Sequence, residues 1–304
     1  MKRALVFPGQ ASQFVGMGQD IFDKHPSVQE LYVTAAEILG FDLADLTFNG
    51  PLESLTKTKV TQPALFVTSA AIFSLLPKSL KFQATAGHSL GEYSALYAAG
   101  VLSFEDALAI VKVRAEGMYA AGKAQSGTMA AILNMSRADI EKVCKHGSLR
   151  GIVQVANYNS PGQIVISGET VAVHYAMDIA KNLGARKVIP LNVSGAFHSP
   201  LMAPAKEKLS VILEKIKFNK AKVPVIANVD AAPTSDPEKI KTNLLDQLES
   251  PVLWEDSVEF MLKDGYTDFI EIGPGRVLQG LIKRINRDVT ASGIATLEEL
   301  EAHA

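Results

Sequence analysis

Residues 85–96 read TAGHSLGEYSAL, in which Ser89 stands between Gly87 and Gly91 with one residue on either side. The run KFQATA before it has the apolar character of a strand, and EYSALYAAG after it has that of a helix. A G-x-S-x-G pattern between a strand and a helix predicts a sharp bend that exposes the Ser89 hydroxyl, with the Leu90 N–H facing a developing oxyanion. The same letters also fit a simple glycine-flanked turn, but the strand-to-helix context favours a nucleophile.

Strand and helix patterns alternate along the rest of the chain and predict an α/β fold. The runs RALVFPG, KFQATAGHS, VPVIANVD and YTDFIEIGPG are short and apolar, which is typical of buried parallel strands. Apolar residues recur at helical spacing over residues 104–119 and 209–216. A further buried helix is expected to begin at Pro63, because proline is favoured in the first turn of a helix.

The rhythm changes between residues 126 and 191. There the pattern predicts strand, helix, two strands, helix and strand, which is the β-α-β-β-α-β order of a ferredoxin-like unit. We therefore predict a hydrolase-like, parallel-sheet large catalytic domain formed by residues 1–125 and 191–304. An inserted ferredoxin-like small domain occupies residues 126–190, and ligands are expected where the two meet.

Composition narrows the function classes. The 304 residues include 30 basic and 32 acidic side chains, so a net charge of -2 gives no electrostatic reason to bind nucleic acid. The single cysteine, Cys144, cannot form an internal disulfide, which indicates a reducing compartment. The start MKRALVFPGQ lacks the apolar segment of a secretory signal, and the apolar run at residues 63–76 is too short to span a membrane. We predict a cytoplasmic protein without a membrane partner.

A nucleophilic serine needs a base, and His198 is the candidate. Of the six histidines it lies in NVSGAFHSP, a loop bounded by Gly and Pro at the exit of the predicted small domain. The alternative is a solvent-exposed loop histidine. A backbone carbonyl or an aspartate is left open as the group that orients it, the candidate aspartates being Asp230, Asp236, Asp246 and Asp256.

Arg114 is the unusual residue of the helix predicted over residues 104–119. It falls on an apolar stripe with Ala107, Val111 and Met118. A buried guanidinium must be paired, and its planar fork suits a carboxylate. The alternatives are an internal salt bridge, a snorkelling side chain that keeps its charge in water, and pairing with the carboxylate of an anionic acyl group.

Gln10 follows the first predicted strand in VFPGQASQ. This position places it at the carboxyl edge of the sheet, where α/β proteins bind ligands. Its side chain or backbone N–H is a candidate second donor to an oxyanion, although it also suits a turn cap.

These residues together resemble the malonyl-CoA:acyl carrier protein transacylases of fatty-acid synthesis. The likeness runs from VFPGQASQ through TQPALFVTSAAI, GHSLGEYSAL, VKVRAEGM, GAFHSPLM and ESPVLWEDSVEFM to FIEIGPGRVLQGLIKRI, and the C-terminal ASGIATLEELEAHA carries no part of it. The resemblance implies that Ser89 takes malonyl from coenzyme A as an ester. It then implies ping-pong transfer to the phosphopantetheine thiol of acyl carrier protein. The product, malonyl-acyl carrier protein, would supply fatty-acid synthesis. We also predict a monomer with no metal and no cofactor, since malonyl-CoA is a substrate.

The resemblance also assigns roles to residues. His198 is implied as general base and acid, Arg114 as the malonyl carboxylate clamp, and Gln10 with the Leu90 N–H as the oxyanion hole. The carbonyl that orients the histidine falls at or near Gln247, and a phenylalanine before the histidine, Phe197, implies selection of malonyl over methylmalonyl. Weaker carry-overs are Gln62 and Gln163 at the acyl group or pantetheine, and Arg186 and Lys187 at the coenzyme A phosphates.

Two other functions share part of this pattern. A serine hydrolase would use Ser89 and His198 but release malonate to water, and a non-catalytic subunit would only bind carrier protein. For docking of the acidic carrier protein the candidate residues are Lys181, Arg186, Lys187, Lys283, Arg284 and Arg287.

Overall fold

The computed structural model describes residues 2–303. The strands within them are β1 (Lys2–Phe7), β2 (Ala84–Gly87), β3 (Gly127–Leu133), β4 (Val153–Ser160), β5 (Gln163–Glu169), β6 (Lys187–Pro190), β7 (Val225–Ile226), β8 (Pro233–Thr234), β9 (Val252–Leu253), β10 (Tyr266–Ile272) and β11 (Thr290–Ile294). The α-helices are α1 (Gln19–Lys24), α2 (Pro26–Leu39), α3 (Leu43–Phe48), α4 (Leu52–Leu55), α5 (Thr58–Ser74), α6 (Gly91–Ala98), α7 (Phe104–Ala124), α8 (Arg137–Gly147), α9 (Thr170–Asn182), α10 (Ala203–Lys215), α11 (Pro237–Gln247), α12 (Trp254–Lys263), α13 (Val277–Ile285) and α14 (Leu297–Glu301).

The larger sheet has the strand order β11-β10-β1-β2-β7-β8. Its strands run parallel except β8, which is antiparallel to β7. The central strand β1 is apolar and buried from Ala4 to Phe7 because helices cover both faces of the sheet. Phe7 pairs with Gly87, so β1 and β2 end at the same edge and bring Gln10 beside Ser89. The predicted hydrolase-like parallel sheet is confirmed.

The second sheet has the order β6-β3-β5-β4, with β9 added at its edge. The four strands from residues 127–190 are antiparallel and alternate with α8 and α9 in the predicted β-α-β-β-α-β order. Ile140 of α8 and Val173 of α9 pack on Ile132 and Ile166 of this sheet in a separate apolar cluster. The ferredoxin-like unit is confirmed, while the domain boundaries 1–125 with 191–304, and 126–190, stay a prediction. Strand β9, which comes from outside residues 126–190, was not foreseen.

Helix α5 begins earlier than predicted. It starts at Thr58 and carries Pro63 in its interior, so the expectation that Pro63 opens the helix is wrong. The helix nucleates upstream because the Lys57 carbonyl accepts the N–H groups of Val60 and Thr61. Pro63 then removes only the N–H that would reach the carbonyl of Lys59. None of the helices within residues 2–303 combines the length and apolar character needed to cross a bilayer.

Candidate active site

The bend at Ser89 requires glycine on both sides. Ser89 itself has a φ of 53°, in the left-handed region. A Cβ on Gly87 would lie 1.9 Å from the carbonyl carbon of Gly91, and one on Gly91 would lie 2.0 Å from the carbonyl oxygen of Phe7. Only glycine therefore allows β2, α6 and β1 to approach this closely. The bend places Ser89 at the start of α6, where the helix dipole favours negative charge.

Two amide side chains hold the backbone of Ser89. The Ser89 N–H donates to Asn228 Oδ1 at 2.7 Å, and Gln247 Nε2 donates to the Ser89 carbonyl at 3.0 Å. Asn228 Nδ2 also donates to the carbonyl of Gly87 at 2.7 Å. Asn228 was not predicted as a site residue, although its position after β7, the neighbour of β2, was a signal for it.

His198 lies at the Ser89 hydroxyl. Its Nε2 is 2.8 Å from Ser89 Oγ, and its Nδ1 is 2.7 Å from the carbonyl oxygen of Gln247. Because a carbonyl only accepts, Nδ1 carries the proton and the neutral ring offers Nε2 as an acceptor to the serine hydroxyl. Burial lowers the pKa of His198 to about 3, and the nearby charge of Arg114 adds to the shift. The arrangement places a neutral base on the serine, with Gln247 at the position that the resemblance implies.

The aspartates left open as orienting groups are engaged elsewhere. Asp230 pairs with Lys239, and Asp246 pairs with Lys206. Asp236 caps the first turn of α11, and Asp256 binds Arg137. A backbone carbonyl therefore takes the place of the acid of a triad.

Arg114 is 1% exposed and reaches Ser89 from α7. Its Nη2 donates to Ser89 Oγ at 3.1 Å and to Gln247 Oε1 at 2.8 Å, and its Nη1 donates to Gln62 Oε1 at 2.6 Å. Within residues 2–303 no carboxylate forms an ion pair with it, and its Nε has no hydrogen-bond partner. Burial lowers the pKa of the Arg114 guanidinium. The internal salt bridge considered from the sequence is absent from the described residues, so this cation is suited to a carboxylate that a ligand brings.

Glu92 is a buried carboxyl that no motif singled out. It is 2% exposed, and its Oε2 accepts from the Gln247 side chain at 2.8 Å and from the Asn228 N–H at 3.1 Å. Burial raises the pKa of Glu92 to about 7, against the lowering effect of those hydrogen bonds and of the Arg114 charge. The residue pattern gave no signal for it, because Glu92 looks like an ordinary first-turn acid of α6.

A cavity of about 340 Å³ opens above Ser89. Arg114, Gln62, His198 and Phe197 line it together with Ser89. The remaining lining residues are Gln10, Ala11, Gln13, Thr56, His88, Leu90, Met118, Met129, Asn157, Leu191, Asn192 and Val193. Since Met129 and Asn157 come from the second sheet, the cavity lies between the two sheets, as expected for ligand sites.

The two predicted oxyanion donors border this cavity. Among the described residues, the backbone N–H groups of Gln10 and Leu90 donate to no protein acceptor. The Gln10 side chain lies near Thr58, with Nε2 3.4 Å from Oγ1. Both N–H groups are thus available to a ligand oxygen near Ser89.

Three predicted binding residues lie outside the cavity. Gln163 begins β5 and contacts Arg284, while Arg186 and Lys187 are exposed beside β6. Gln163 and Lys187 both pair with Leu133, at the opposite end of β3 from Met129. The structure therefore does not bring them to Ser89, and their contacts with pantetheine and phosphate stay a prediction.

A serine on such a bend, with a neutral histidine on its hydroxyl, defines the class of α/β proteins that transfer acyl groups through a serine ester. Comparison with known proteins agrees. Residues 4–298 match the model of the acyl transferase domain family. A malonyl CoA-acyl carrier protein transacylase of Bacillus subtilis (strain 168) is 46% identical over 302 residues, which cover 99% of this chain and 95% of that protein.

Solved structures give the same result. An acyl carrier protein S-malonyltransferase from Vibrio cholerae is 42% identical with a TM-score of 0.95, and the match covers 100% of both chains. The malonyl-transacylase PlMCAT, solved in complex with the type II PKS acyl-carrier protein AntF, is 41% identical with a TM-score of 0.95, covering 100% of this chain and 99% of that chain. The chain belongs to the acyl transferase family, and within it to the malonyl-CoA:acyl carrier protein transacylases.

Proposed function

We propose that this protein transfers malonyl from malonyl-CoA to the phosphopantetheine thiol of acyl carrier protein through an ester on Ser89. The observation that carries the proposal is the buried Arg114, which has no carboxylate partner among the described residues and donates to Ser89 Oγ at 3.1 Å. A carboxylated acyl chain supplies the missing anion within reach of the nucleophile. The relatives named as malonyl transacylases support the same substrate.

In the first half-reaction Ser89 Oγ attacks the thioester carbonyl of malonyl-CoA, and His198 Nε2 takes the hydroxyl proton. Negative charge develops on the carbonyl oxygen, where the N–H groups of Leu90 and Gln10 donate to it. The C–S bond then breaks, the imidazolium protonates the departing thiolate, and coenzyme A leaves. Malonyl remains on Ser89 as an oxygen ester.

The second half-reaction reverses these steps with a different thiol. His198 takes the proton of the carrier protein thiol, the sulfur attacks the ester carbonyl, and Ser89 Oγ leaves with that proton. The carbonyl of Gln247 fixes the tautomer of the ring in both directions, because it holds the proton on Nδ1. The two half-reactions need no cofactor, since every bond change in them is an acyl or proton transfer.

The charge of Arg114 couples substrate choice to base strength. Arg114 is one of the causes that lower the pKa of His198. A malonyl carboxylate on the guanidinium offsets that charge, so it raises the pKa of His198 toward its ordinary value and makes Nε2 a stronger base. An uncharged acyl group leaves the base weakened.

The test is covalent labelling and partition of the product. Incubation with malonyl-CoA should add one malonyl group to the intact protein, and Ser89→Ala should abolish that adduct. Transfer of malonyl to carrier protein must then exceed release of free malonate. Dominant malonate release would identify a hydrolase instead, and an unlabelled wild-type protein would identify a non-catalytic carrier-binding subunit.

We further propose that the protein works in the cytoplasm and supplies malonyl carrier protein to fatty-acid synthesis. The lone, buried and free thiol of Cys144 suits a reducing compartment. Fractionation of the source cells with an antibody to the protein checks the compartment.

A further inference from the structure

The carboxyl of Glu92 has no role in the acyl-transfer steps above, yet it lies three residues after the nucleophile, buried in the first turn of α6. Both of its hydrogen bonds use the same oxygen. Oε2 accepts from the Gln247 side chain at 2.8 Å and from the Asn228 backbone N–H at 3.1 Å. The Gln247 side chain also joins Glu92 to Arg114, because its Oε1 accepts from the Arg114 guanidinium.

The two residues anchored on Glu92 are the same two that hold the Ser89 backbone. Asn228 accepts the Ser89 N–H at 2.7 Å, and Gln247 donates to the Ser89 carbonyl at 3.0 Å. One oxygen of Glu92 therefore holds both Asn228, which binds the Ser89 N–H, and Gln247, which binds the Ser89 carbonyl. The Gln247 contact also fixes which end of its amide faces Arg114, because an N–H must face the carboxylate and the oxygen must face the guanidinium.

Such a brace has a purpose at this position. Ser89 adopts a left-handed φ of 53°, a conformation that a non-glycine residue keeps only when its surroundings impose it. Release of the serine peptide units would let Oγ move from His198 Nε2 and turn the Leu90 N–H away from the oxyanion position. A displacement on the scale of 1 Å is enough to slow a reaction strongly.

We propose that Glu92 is a positioning residue for the nucleophile: through Asn228 and Gln247 it holds the Ser89 peptide in the reactive conformation. The inference rests on the proposed function only in that Ser89 is the nucleophile. The acceptor oxygen carries the effect, so an amide oxygen in the same place should preserve it. The effect should fall on the reaction rate of Ser89 and leave the affinity for the thioester nearly unchanged.

The experiment compares Glu92→Ala with Glu92→Gln. The first readout is the rate of labelling by a fluorophosphonate probe, followed by intact mass, because this probe reports the reactivity of Ser89 without any malonyl group. The second readout is the split between kcat and KM for malonyl-CoA. Glu271→Gln is the matched control, since Glu271 is also a buried carboxyl that accepts two backbone N–H groups, from Leu278 and Gln279, away from Ser89.

We expect Glu92→Ala to slow labelling about 10- to 100-fold and to lower kcat by a similar factor, because the Gln247 side chain and the Asn228 N–H lose their buried acceptor. Glu92→Gln should stay within about 3-fold of the wild type, since its carbonyl oxygen can accept both N–H groups. Glu271→Gln should label at the wild-type rate under conditions in which it is folded.

Labelling of Glu92→Ala at the wild-type rate would overturn the proposal, as would a Glu92→Gln variant as slow as Glu92→Ala. If Glu92→Ala does not fold, Asn228→Ala replaces it, because this variant removes one arm of the brace and keeps the carboxyl. Unchanged labelling of Asn228→Ala would then overturn it. A wild-type protein that the probe labels but malonyl-CoA does not would refute the proposed function and leave this inference standing.

Discussion

Arg114 and His198 share one oxygen atom, the hydroxyl of Ser89, which lies 3.1 Å from Nη2 of the arginine and 2.8 Å from Nε2 of the histidine. The cation that we propose binds the acyl carboxylate is therefore one hydrogen bond from the proposed nucleophile. A chain joined to Ser89 can place a carboxylate on this guanidinium only if the two acyl ends are close together. The geometry suits a short diacid such as malonyl.

Replacement of Arg114 by alanine should remove most malonyl transfer and little acetyl transfer. Breaking a buried charge pair typically costs about 3–5 kcal/mol, which corresponds to roughly two to three and a half powers of ten in kcat/KM. Acetyl-CoA brings no anion to Arg114, so it has no such pair to lose. The measurement is kcat/KM for both thioesters in both proteins.

The matched variant is Arg114→Lys, which keeps the charge but loses the planar fork, and it should fall between wild type and alanine for malonyl. Thermal unfolding of each variant checks that it folds. Equal losses for acetyl and malonyl would mean that Arg114 supports the structure and does not read the carboxylate.

Phe197 should set the width of the acyl pocket. It lines the cavity beside His198 and is buried. Phe197→Ser should therefore relax the rejection of methylmalonyl-CoA by about 10- to 200-fold, the range that one methyl group is worth in an apolar pocket. Phe197→Leu, which keeps most of the bulk, should shift the ratio of the two kcat/KM values less. A ratio that neither substitution changes would show that Phe197 does not contact the extra methyl.

The acylation rate should not report an ordinary histidine titration. Since burial and the Arg114 charge lower the pKa of His198 to about 3, the base stays neutral over the whole assay range. At malonyl-CoA concentrations well below KM, where the rate reports the free enzyme, malonylation of Ser89 should be flat from about pH 5.5 to 8, whereas a histidine of ordinary pKa would slow it about 10-fold at the acid end. Glu92→Gln serves as the control because its side chain does not titrate. A decrease centred near pH 6.5 in both proteins would contradict the shifted pKa.

The Glu92 carboxyl should make folding stability depend on pH. Its pKa is raised from 4.5 to about 7 in the folded protein, so the folded state binds the proton more tightly than the unfolded state. The stabilising effect of that proton is complete below about pH 4.5 and is lost as the pH rises through about 7. Glu92→Gln does not lose stability in this way. Its free energy of unfolding, relative to that of the wild type, should therefore rise by about 3 kcal/mol between about pH 4.5 and pH 7. Urea unfolding at several pH values measures the difference, and a difference that does not vary with pH would contradict the prediction.

Docking of carrier protein should depend on the basic residues that have no partner of their own. Lys181 pairs with Asp178, and Arg284 contacts Gln163. Lys187 and Arg287 are exposed, and no carboxylate of the described residues forms an ion pair with either.

Charge reversal of one of these residues, Lys187→Glu or Arg287→Glu, should raise the KM for acyl carrier protein about 2- to 5-fold at low salt, and added salt should shrink the difference. Lys215→Glu, at the end of α10, is the surface control. Equal KM values for the three variants and wild type would place the docking surface elsewhere.

The bend at Ser89 could be predicted from the sequence because each of its requirements is local. The glycines that let β1, β2 and α6 approach, and the strand and helix patterns on either side, can all be recognised within about a dozen neighbouring residues. The order of elements over residues 127–190 was equally readable, since each strand and helix has its own apolar period. The start of α5 was predicted wrongly from Pro63, because the preference of proline for the first turn of a helix does not exclude it from the helix interior.

Contacts between distant segments could not be read in the same way. The carbonyl of Gln247 orients His198 from 49 residues away, and a backbone group leaves no trace in the choice of side chain. Only the family resemblance pointed to it. The Asn228 N–H donates to the carboxyl of Glu92, and this hydrogen bond can form only when β7 lies beside β2.

Strand β9 matters for anyone who wants to build hybrids of this protein with its relatives. Val252 and Leu253 add to the edge of β4 although they are remote from it in the chain, and Arg137 of α8 binds Glu255 and Asp256 in the helix that follows. A graft that exchanges residues 126–190 alone would set a foreign strand edge against β9 and a foreign helix against α12. The exchangeable unit is therefore discontinuous, and a working chimera should carry residues 252–256 from the same parent as its small sheet.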